Sequence, residues 1–552
     1  MKDDTGNNFP KQEINFEDLD NGDKALIEKT LSGGYSRRGA LKIMAATGVT
    51  LATAENLLST GGAAMAATPK KGGTVRFSAS QHGPDDNMDP ARFTSSIDYA
   101  RGRSHYNSLT QLDSDLVPQP ELAESFGPNS DATEWTFKLR KDVNFHDGTP
   151  LTADDVLWSM NRHLGEKSTS VVKDVFNSVK EWKKAGRHEV KAIMNSPNSD
   201  LSALLGIFQM KIVRNGTAGN RVKEDGGIEH NGTGPFVMEY FSPGEKSVSK
   251  RNENYWREGA NLDSIEITAI TDPIARVNAL IAGDFQLIMD VDPKAIRQIE
   301  NADGVHLNSQ PAGAYNGICA MQNSAPGNNI DFVKGMKYIQ DRERIVKRIL
   351  KGHGSVGNDQ PIMNAYGPDW CSELPQRQYD PDKAKFHFKK SGINTAELFV
   401  APVGIGIEDT CLLAQTNCAK IGFDLKLKKV PTDGYWGAVW MKEPLNVTSW
   451  NMRPTANSML AIAYAPGAAG HDTLWNNKRM GELLTLSQAE TDPDKRHAMF
   501  CEMQTLVKEE CGMIIPAHIN IVDGVSDRVL GIPKNPLGNL GALEFPEFCW
   551  LA

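Results

Sequence analysis

Twelve histidines, seven cysteines and 69 acidic side chains give this 552-residue chain ample material for catalysis, so their spacing decides which chemistry is open to it. No GxxxxGK[ST] phosphate loop, HExxH zinc pair or GxSxG nucleophile elbow occurs. The stretch HGSVG, from His353 to Gly357, puts histidine where the first glycine of an elbow belongs. It also follows a helical pattern, whereas an elbow needs a strand-to-helix turn. GIGIED, from Gly404 to Asp409, lacks the third glycine of a dinucleotide fingerprint. The histidines show no metal-ligand spacing, and the cysteines at 319, 371, 411, 418, 501, 511 and 549 include no CxxC. Cys411 and Cys418 read as one helix, where seven residues of rise set them ~10 Å apart. A disulfide needs ~4.4–6.8 Å between Cα atoms. An odd count leaves at least one thiol unpaired, and most of the seven read as small buried hydrophobes. A glycosidase-type carboxylate pair stays open, because its members need not be near in sequence. The expectation is a protein that is not an enzyme, with no cofactor and no metal.

Export chemistry is more visible. SRRGALKIMAATGVTLATA, residues 36–54, joins Arg37, Arg38 and Lys42 to a weakly apolar run. That run is too short for a bilayer, which needs ~20 apolar residues, and suits the h-region of a signal peptide. Ser36, Arg37, Arg38, Leu41 and Lys42 resemble a twin-arginine export motif, which implies the Tat machinery as a partner. Ala64-Met65-Ala66 fits a small-x-small cleavage site. The competing reading is an amphipathic N-terminal helix. Cleavage after Ala66 removes nine acidic and seven basic residues, moving the net charge from −9 to −7 and leaving 486 of the 552 residues. That length calls for two or three domains. The acidic balance argues against nucleic acid, and no later stretch holds 18 consecutive apolar residues.

The elements that must position any site alternate between strand and helix. Trp135, Phe137 and Leu139 alternate with polar residues as in a half-buried strand. Asp147-Gly148 makes a turn, and Thr152 with Asp155 forms a capping box before Val156, Leu157 and Met160. Residues 262–291 read as strand, helix and strand: Ile265 and Ile267 alternate, Asp272-Pro273 starts the helix, and Gly283 stops it. DFVKGMKYIQDRERIVKRIL and KRHAMFCEMQTLVKEECG read as amphipathic helices. The class is α/β, with mixed or parallel sheet covered by helices.

Four stretches, in order, carry a resemblance: FHDGTPLTADDVLWSMNR, GTGPFVMEYFSPGEKSVSKRNENYW, ARVNALIAGDFQLI, and IDFVKGMKYIQDRERIVKRILKGHGSVGNDQPI. They resemble the family 5 extracellular solute-binding proteins, the peptide/nickel-type receptors of ABC importers, over about residues 72–527. The resemblance implies a two-lobed, type II-like periplasmic-binding-protein fold of three domains. It places a discontinuous first lobe at 67–103, 229–312 and 521–552. An accessory domain follows at 104–228, and the opposing lobe at 313–520. It also implies a monomeric periplasmic receptor that closes on a solute by hinge motion and presents it, unchanged, to membrane permease subunits.

In dipeptide and oligopeptide binders of the family, a tryptophan followed closely by an aspartate grips the peptide α-amino group. The matching stretch is TSWNMRPTANSML, with Trp450 at the tryptophan, Asn451 beside it, and Arg453 where the aspartate is expected. The arginine that meets the peptide carboxylate in dipeptide binders is replaced by Glu408 and Asp409. The resemblance therefore implies exchanged charges at the two poles. Arg453 offers a planar fork to a carboxylate, and Glu408 or Asp409 an acceptor to an ammonium. A structural ion pair between them, or a solvent-facing Arg453, is the alternative. Tyr435 and Trp436 stand where the family sets an aromatic against the ligand side chain, and Trp440 fits core packing equally well. Tyr315 and Asn316, beside the implied hinge, and Trp475 complete the set. Arg101 and Arg103 read as a solvated helix face more readily than as cleft residues. The expected ligand is a short peptide, an opine-like conjugate or a modified amino acid, zwitterionic or anionic. A nickel chelate, haem or an oligosaccharide is the alternative, with His471 as the one histidine near the expected region.

Overall fold

A computed structural model describes residues 69–552 apart from 84–85, 219, 223–227, 433 and 469. The fold is that of the unit Lys71–Ala552. The twin-arginine-like stretch and the cleavage site at Ala66 lie outside the described residues.

One eleven-stranded sheet runs through both halves of the molecule. Thr74–Ala79 pairs in parallel with Ser264–Ala269 and with Leu287–Ile288; Val75, Phe77 and Ala79 are buried on one face, and Ser78 on the other is buried as well. The hairpin Phe236–Ser242 and Lys246–Arg251 extends that edge. Helix Pro273–Ile281 crosses between Ser264–Ala269 and Leu287–Ile288, with Asp272 accepting from the Ala275 N–H at 2.7 Å and Pro273 leading the first turn. The β-α-β unit expected from the sequence is present, although its second strand is only two residues long.

Two long strands join the halves. Val305–Ala320 and Met513–Ser526 run antiparallel, and their register breaks twice, between Gln310 and Ala314 and between Asn316 and Ile318. Gln310 faces Ile521 and Ala314 faces Ile519, so Pro311, Ala312 and Gly313 oppose the single residue Asn520. Such a bulge interrupts the ladder and bends the strand. Beyond it lie Leu445–Trp450, Thr395–Val400 and Asp424–Lys429, packed under helices Ile330–Tyr338, Pro381–Ser391 and Ile407–Lys420.

A separate four-stranded sheet, ordered Ala123–Pro128, Glu134–Leu139, Glu189–Met194 and Val179–Gly186, holds its own core. Trp135, Phe137 and Leu139 point into it, and the capping box of Thr152 and Asp155 starts helix Ala153–Asn161.

Two sequence expectations are corrected. The amphipathic run after Asp331 is not one helix. It breaks after Tyr338, Asp341 accepts from the Arg344 N–H at 3.2 Å, and a π turn covers Ile345–Ile349. The asparagine-like capping of Asp341 competes with helix continuation there. Arg101 and Arg103 are buried rather than solvated, because carboxylates meet them inside: Asp86 and Asp98 lie 3.2 and 3.7 Å from Arg101, and Glu544 3.3 Å from Arg103. Cys371 and Cys501 form a disulfide, while Cys319, Cys411, Cys418, Cys511 and Cys549 are buried thiols.

Candidate functional site

The bulge floors a cleft of about 1130 Å³ between the halves, lined there by Ala312, Ala314 and Ile519 to Val522. Beside it, Ser309 Oγ accepts from Asn520 Nδ2 at 3.0 Å and meets His353 Nδ1 at 2.9 Å. These bonds tie a cleft-lining histidine of one half to the crossing strand.

On the first half, helix Ser96–His105 presents Tyr99, whose ring stacks on Phe208 with centroids 4.4 Å apart. Arg103 also lies over the Phe208 ring, 5.0 Å from its centroid. Its charge is spoken for by Glu544. The strand end at Ile288 delivers Asp290 into the cleft with φ at 54°, a left-handed conformation that side chains enter at a cost. Buried Arg276 holds that turn by donating to the carbonyls of Met289 and Asp290, both at 2.9 Å. The Asp290 carboxylate accepts from Ser80 Oγ at 2.6 Å and Asn539 Nδ2 at 2.9 Å, and no cation pairs with it among the described residues. Asn539 Nδ2 also reaches Asp523 at 2.7 Å. Burial pushes Asp523 up to about 7, against its bonds from Asn539 and Leu540, and the neighbouring Asp290 adds to the rise.

On the second half, strand Leu445–Trp450 ends at the cleft and helix Ala456–Tyr464 begins there, capped by Thr455 and Ser458 in reciprocal bonds. The link between them carries Asn451, Met452, Arg453 and Pro454 along the cleft wall. The Arg453 N–H donates to the Tyr366 hydroxyl at 3.2 Å, and the guanidinium lies 5.4 Å from the Trp450 centroid. Arg453 is half-buried and has no carboxylate partner among the described residues. Its charge reaches across to Tyr99, where it partly offsets the upward push of burial on the phenol. By contrast Asp200, which also lines the cleft, is paired with Arg496 at 2.6 Å.

Of the ten residues singled out in the sequence, Arg453 and Asn451 line the cleft. Trp450 sits behind Arg453, its Nε1–H donating at 2.7 Å to buried Asp472, which also receives Thr448 Oγ1 at 3.0 Å and the Trp440 indole. Burial raises Asp472 to about 6, and these three donors hold it down. Trp450 is thereby a fixed wall for the arginine. Glu408 and Asp409 do not reach the cleft, which ends at Gly404 and Ile405. They occupy the first turn of helix Ile407–Lys420, where acidic residues suit the helix dipole, and Lys429 pairs with Glu408 at 3.2 Å. The alternative of an ion pair between Arg453 and Glu408 or Asp409 is likewise not formed, since Glu408 pairs with Lys429. Tyr435 is a core residue: its hydroxyl donates to Val447 O at 2.8 Å and accepts from Val447 N–H at 3.0 Å. Trp436 is 46 % exposed and outside the cleft. Tyr315 is buried against Tyr464, hydroxyl to hydroxyl at 3.0 Å. Asn316 donates to Ile405 O at 2.7 Å and so shapes the cleft rim from behind. Trp475 packs in the core beside His471, and neither lines the cleft.

Residues 117–470 match the bacterial extracellular solute-binding proteins, family 5 middle region. The chain belongs to that family. This family 5 solute-binding protein is 23 % identical to the dipeptide-binding protein of Escherichia coli K12 over 83 % of its own length and 91 % of the relative's. Among solved structures, it is similar to the periplasmic binding protein AgaA of A. tumefacien R10 in complex with agropinic acid, at 21 % identity and a TM-score of 0.69, covering 87 % of this chain and 99 % of that one. HbpA2 of Haemophilus parasuis gives a TM-score of 0.75 at 20 % identity, over 87 % and 100 %. The solute-binding protein shares the two-lobed periplasmic-binding-protein fold with these structures, and none of its described helices is long and apolar enough to cross a membrane.

Proposed function

We propose that this protein is an extracytoplasmic receptor of an ABC importer that captures a short peptide or amino-acid-like solute bearing an anionic group. The two halves close on the solute by flexing at the bulge opposite Asn520, and the permease receives it chemically unchanged. The observation that carries this reading is Arg453: a half-buried guanidinium on the cleft wall, backed by Trp450, with no carboxylate of its own among the described residues. A cleft that closes around such a charge excludes its water, so a guest must neutralise it. A carboxylate meets the guanidinium fork with two parallel bonds, which a neutral guest does not.

Asp290 is the counterpart on the first half, with two neutral donors and no ion-paired cation among the described residues, and it accepts an ammonium there. The pair sorts for zwitterions, and 1130 Å³ leaves room for more than a free amino acid. The relatives named for dipeptides, and AgaA with its agropinic acid, sit within this chemical class. A nickel-chelate cleft is less well served: His353 is the one histidine lining it among the described residues, and Ser309 occupies its Nδ1.

Export through the Tat machinery to the periplasm, as a monomer, completes the proposal. Changing Arg37 and Arg38 together to lysine is expected to leave the precursor in the cytoplasm, and normal export of that variant counts against the Tat route. The ligand itself is reached by denaturing freshly purified protein and identifying the released molecule by mass spectrometry. An intact carboxylate-bearing amine is expected. A neutral sugar, or hydrolysis products of an added candidate, overturns the reading.

A further inference from the structure

Away from the cleft, the segment after Asn364–Asp369 packs on helix Pro493–Glu510 and brings four metal-ligating side chains together. His497 and Cys501 are four residues apart, so they share one face of that helix. Cys371 and Glu373 come from the facing segment, whose position Gln504 fixes by accepting from the Cys371 N–H at 3.0 Å and donating to Asp369 O at 2.8 Å. Glu373 Oε2 lies 3.4 Å from Cys371 Sγ and 3.8 Å from Cys501 Sγ. His497 Nε2 lies 3.5 Å from Cys501 Sγ and 3.4 Å from Glu373 Oε1.

Those separations have a chemical meaning. A tetrahedron built on zinc with Zn–S of ~2.3 Å and Zn–N or Zn–O of ~2.0–2.1 Å has edges of ~3.3–3.8 Å. Three such edges, from Glu373 Oε2 to each sulfur and from His497 Nε2 to Cys501 Sγ, are in place while the disulfide is closed, and reduction frees the sulfur–sulfur edge to open. The orientation of the histidine is an independent sign. His497 Nδ1 meets Pro368 O at 2.6 Å, so Nδ1 carries the hydrogen and the Nε2 lone pair faces the cluster. A backbone carbonyl on the far nitrogen is the usual outer-shell support of a zinc-bound histidine. The site is also reachable, since the Glu373 side chain is 67 % exposed.

We propose that Cys371, Cys501, His497 and Glu373 form a redox-gated zinc site, closed by the disulfide when oxidised and open to zinc when reduced. The two states exclude each other, because the sulfur lone pairs that hold the metal come from thiolates. Reduction requires a dithiol reductant. It passes two electrons and two protons to the Cys371–Cys501 bond and is itself left as a disulfide. Zinc then binds both thiolates, releasing two protons, and takes Nε2 of neutral His497 and one oxygen of the Glu373 carboxylate. Either the S–S bond or the metal thus clasps the same two segments of the second half, whatever the cleft holds.

The test uses the purified full chain, reduced with a phosphine and titrated with zinc against a chromophoric chelator, with cobalt(II) as a spectroscopic substitute. Reduced protein is expected to take up one zinc and to give the intense visible bands of tetrahedral thiolate-bound cobalt. Oxidised protein and the Cys371→Ser/Cys501→Ser double variant are expected to do neither; the five remaining cysteines are buried and serve as the internal control. His497→Ala and Glu373→Gln should each weaken zinc binding at least ~10-fold while the disulfide forms as before. Circular dichroism confirms that the reduced chain remains folded. Zinc uptake by reduced protein no greater than by the double variant overturns the proposal. So does octahedral cobalt, or zinc affinity unchanged in His497→Ala, which also covers the case of a reduced chain that unfolds and binds through its thiols alone.

Discussion

Replacing Arg453 by alanine removes the one cleft cation that has no carboxylate partner among the described residues, and its cost is readable from the structure. In the closed state the guanidinium and a ligand carboxylate are desolvated together. Truncating one member of such a buried, hydrogen-bonded pair costs ~2–5 kcal/mol, much of it from stranding the other charge. That is a ~30- to 5,000-fold rise in Kd. The fold loses little. The side chain gives up its place 5.4 Å from the Trp450 centroid, a contact worth ~0.5–1 kcal/mol at an exposed site. Its backbone N–H keeps the Tyr366 hydroxyl in the variant. Melting should therefore drop by no more than ~2 °C. Arg453→Lys keeps the charge but not the fork, and is expected to fall between wild type and alanine. Isothermal titration with the co-purifying solute, alongside calorimetric melting, reads both numbers. An alanine variant that binds within threefold of wild type refutes the reasoning.

Asp290→Asn keeps the shape of the opposite pole but not its charge; loss of one charge-assisted bond, ~1.5–3 kcal/mol, should weaken an amine-bearing ligand ~10- to 150-fold and leave its N-acylated form nearly unaffected. Asp523 has a folded pKa raised by burial from 3.8 to about 7, so its proton-linked stability is present below pH 3.8 and is lost as pH rises through 7. The gain in stability from Asp523→Asn should accordingly be larger at pH 8 than at pH 5, as chemical denaturation at the two values will report; a pH-independent difference contradicts it. Trp436→Ala, on an exposed ring outside the cleft, should change affinity less than twofold. Tyr435→Phe should instead lower stability by ~1–3 kcal/mol without altering ligand specificity, because it strands both backbone groups of Val447.

Local sequence carried the elements well and the site only in part. Asp272-Pro273 and the Thr152/Asp155 box declare helix starts from a few neighbouring residues, and both stand where they were read. Arg453 was legible because one short link between a strand and a capped helix decides its position. Glu408 and Asp409 misled for a local reason: a helix N-terminus attracts acids whether or not it faces a ligand. Asp290 and Tyr99 gave no signal, since what qualifies them is their meeting with residues far along the chain, Ser80 and Asn539 for Asp290 and Phe208 for Tyr99. Asp472 was equally silent, as its role depends on two indoles that bring their N–H groups to it. The Cys371–Cys501 pair, 130 residues apart, required the packing of the second half to be known.

The most direct measurement is a crystal structure of the protein loaded with the solute that co-purifies with it. The solute is expected between the two halves, a carboxylate oxygen pair on the Arg453 guanidinium and its amine on Asp290, with the halves rotated together about the bulge at Asn520. A solute held elsewhere, or one inside the cleft with Arg453 left facing water, contradicts the account.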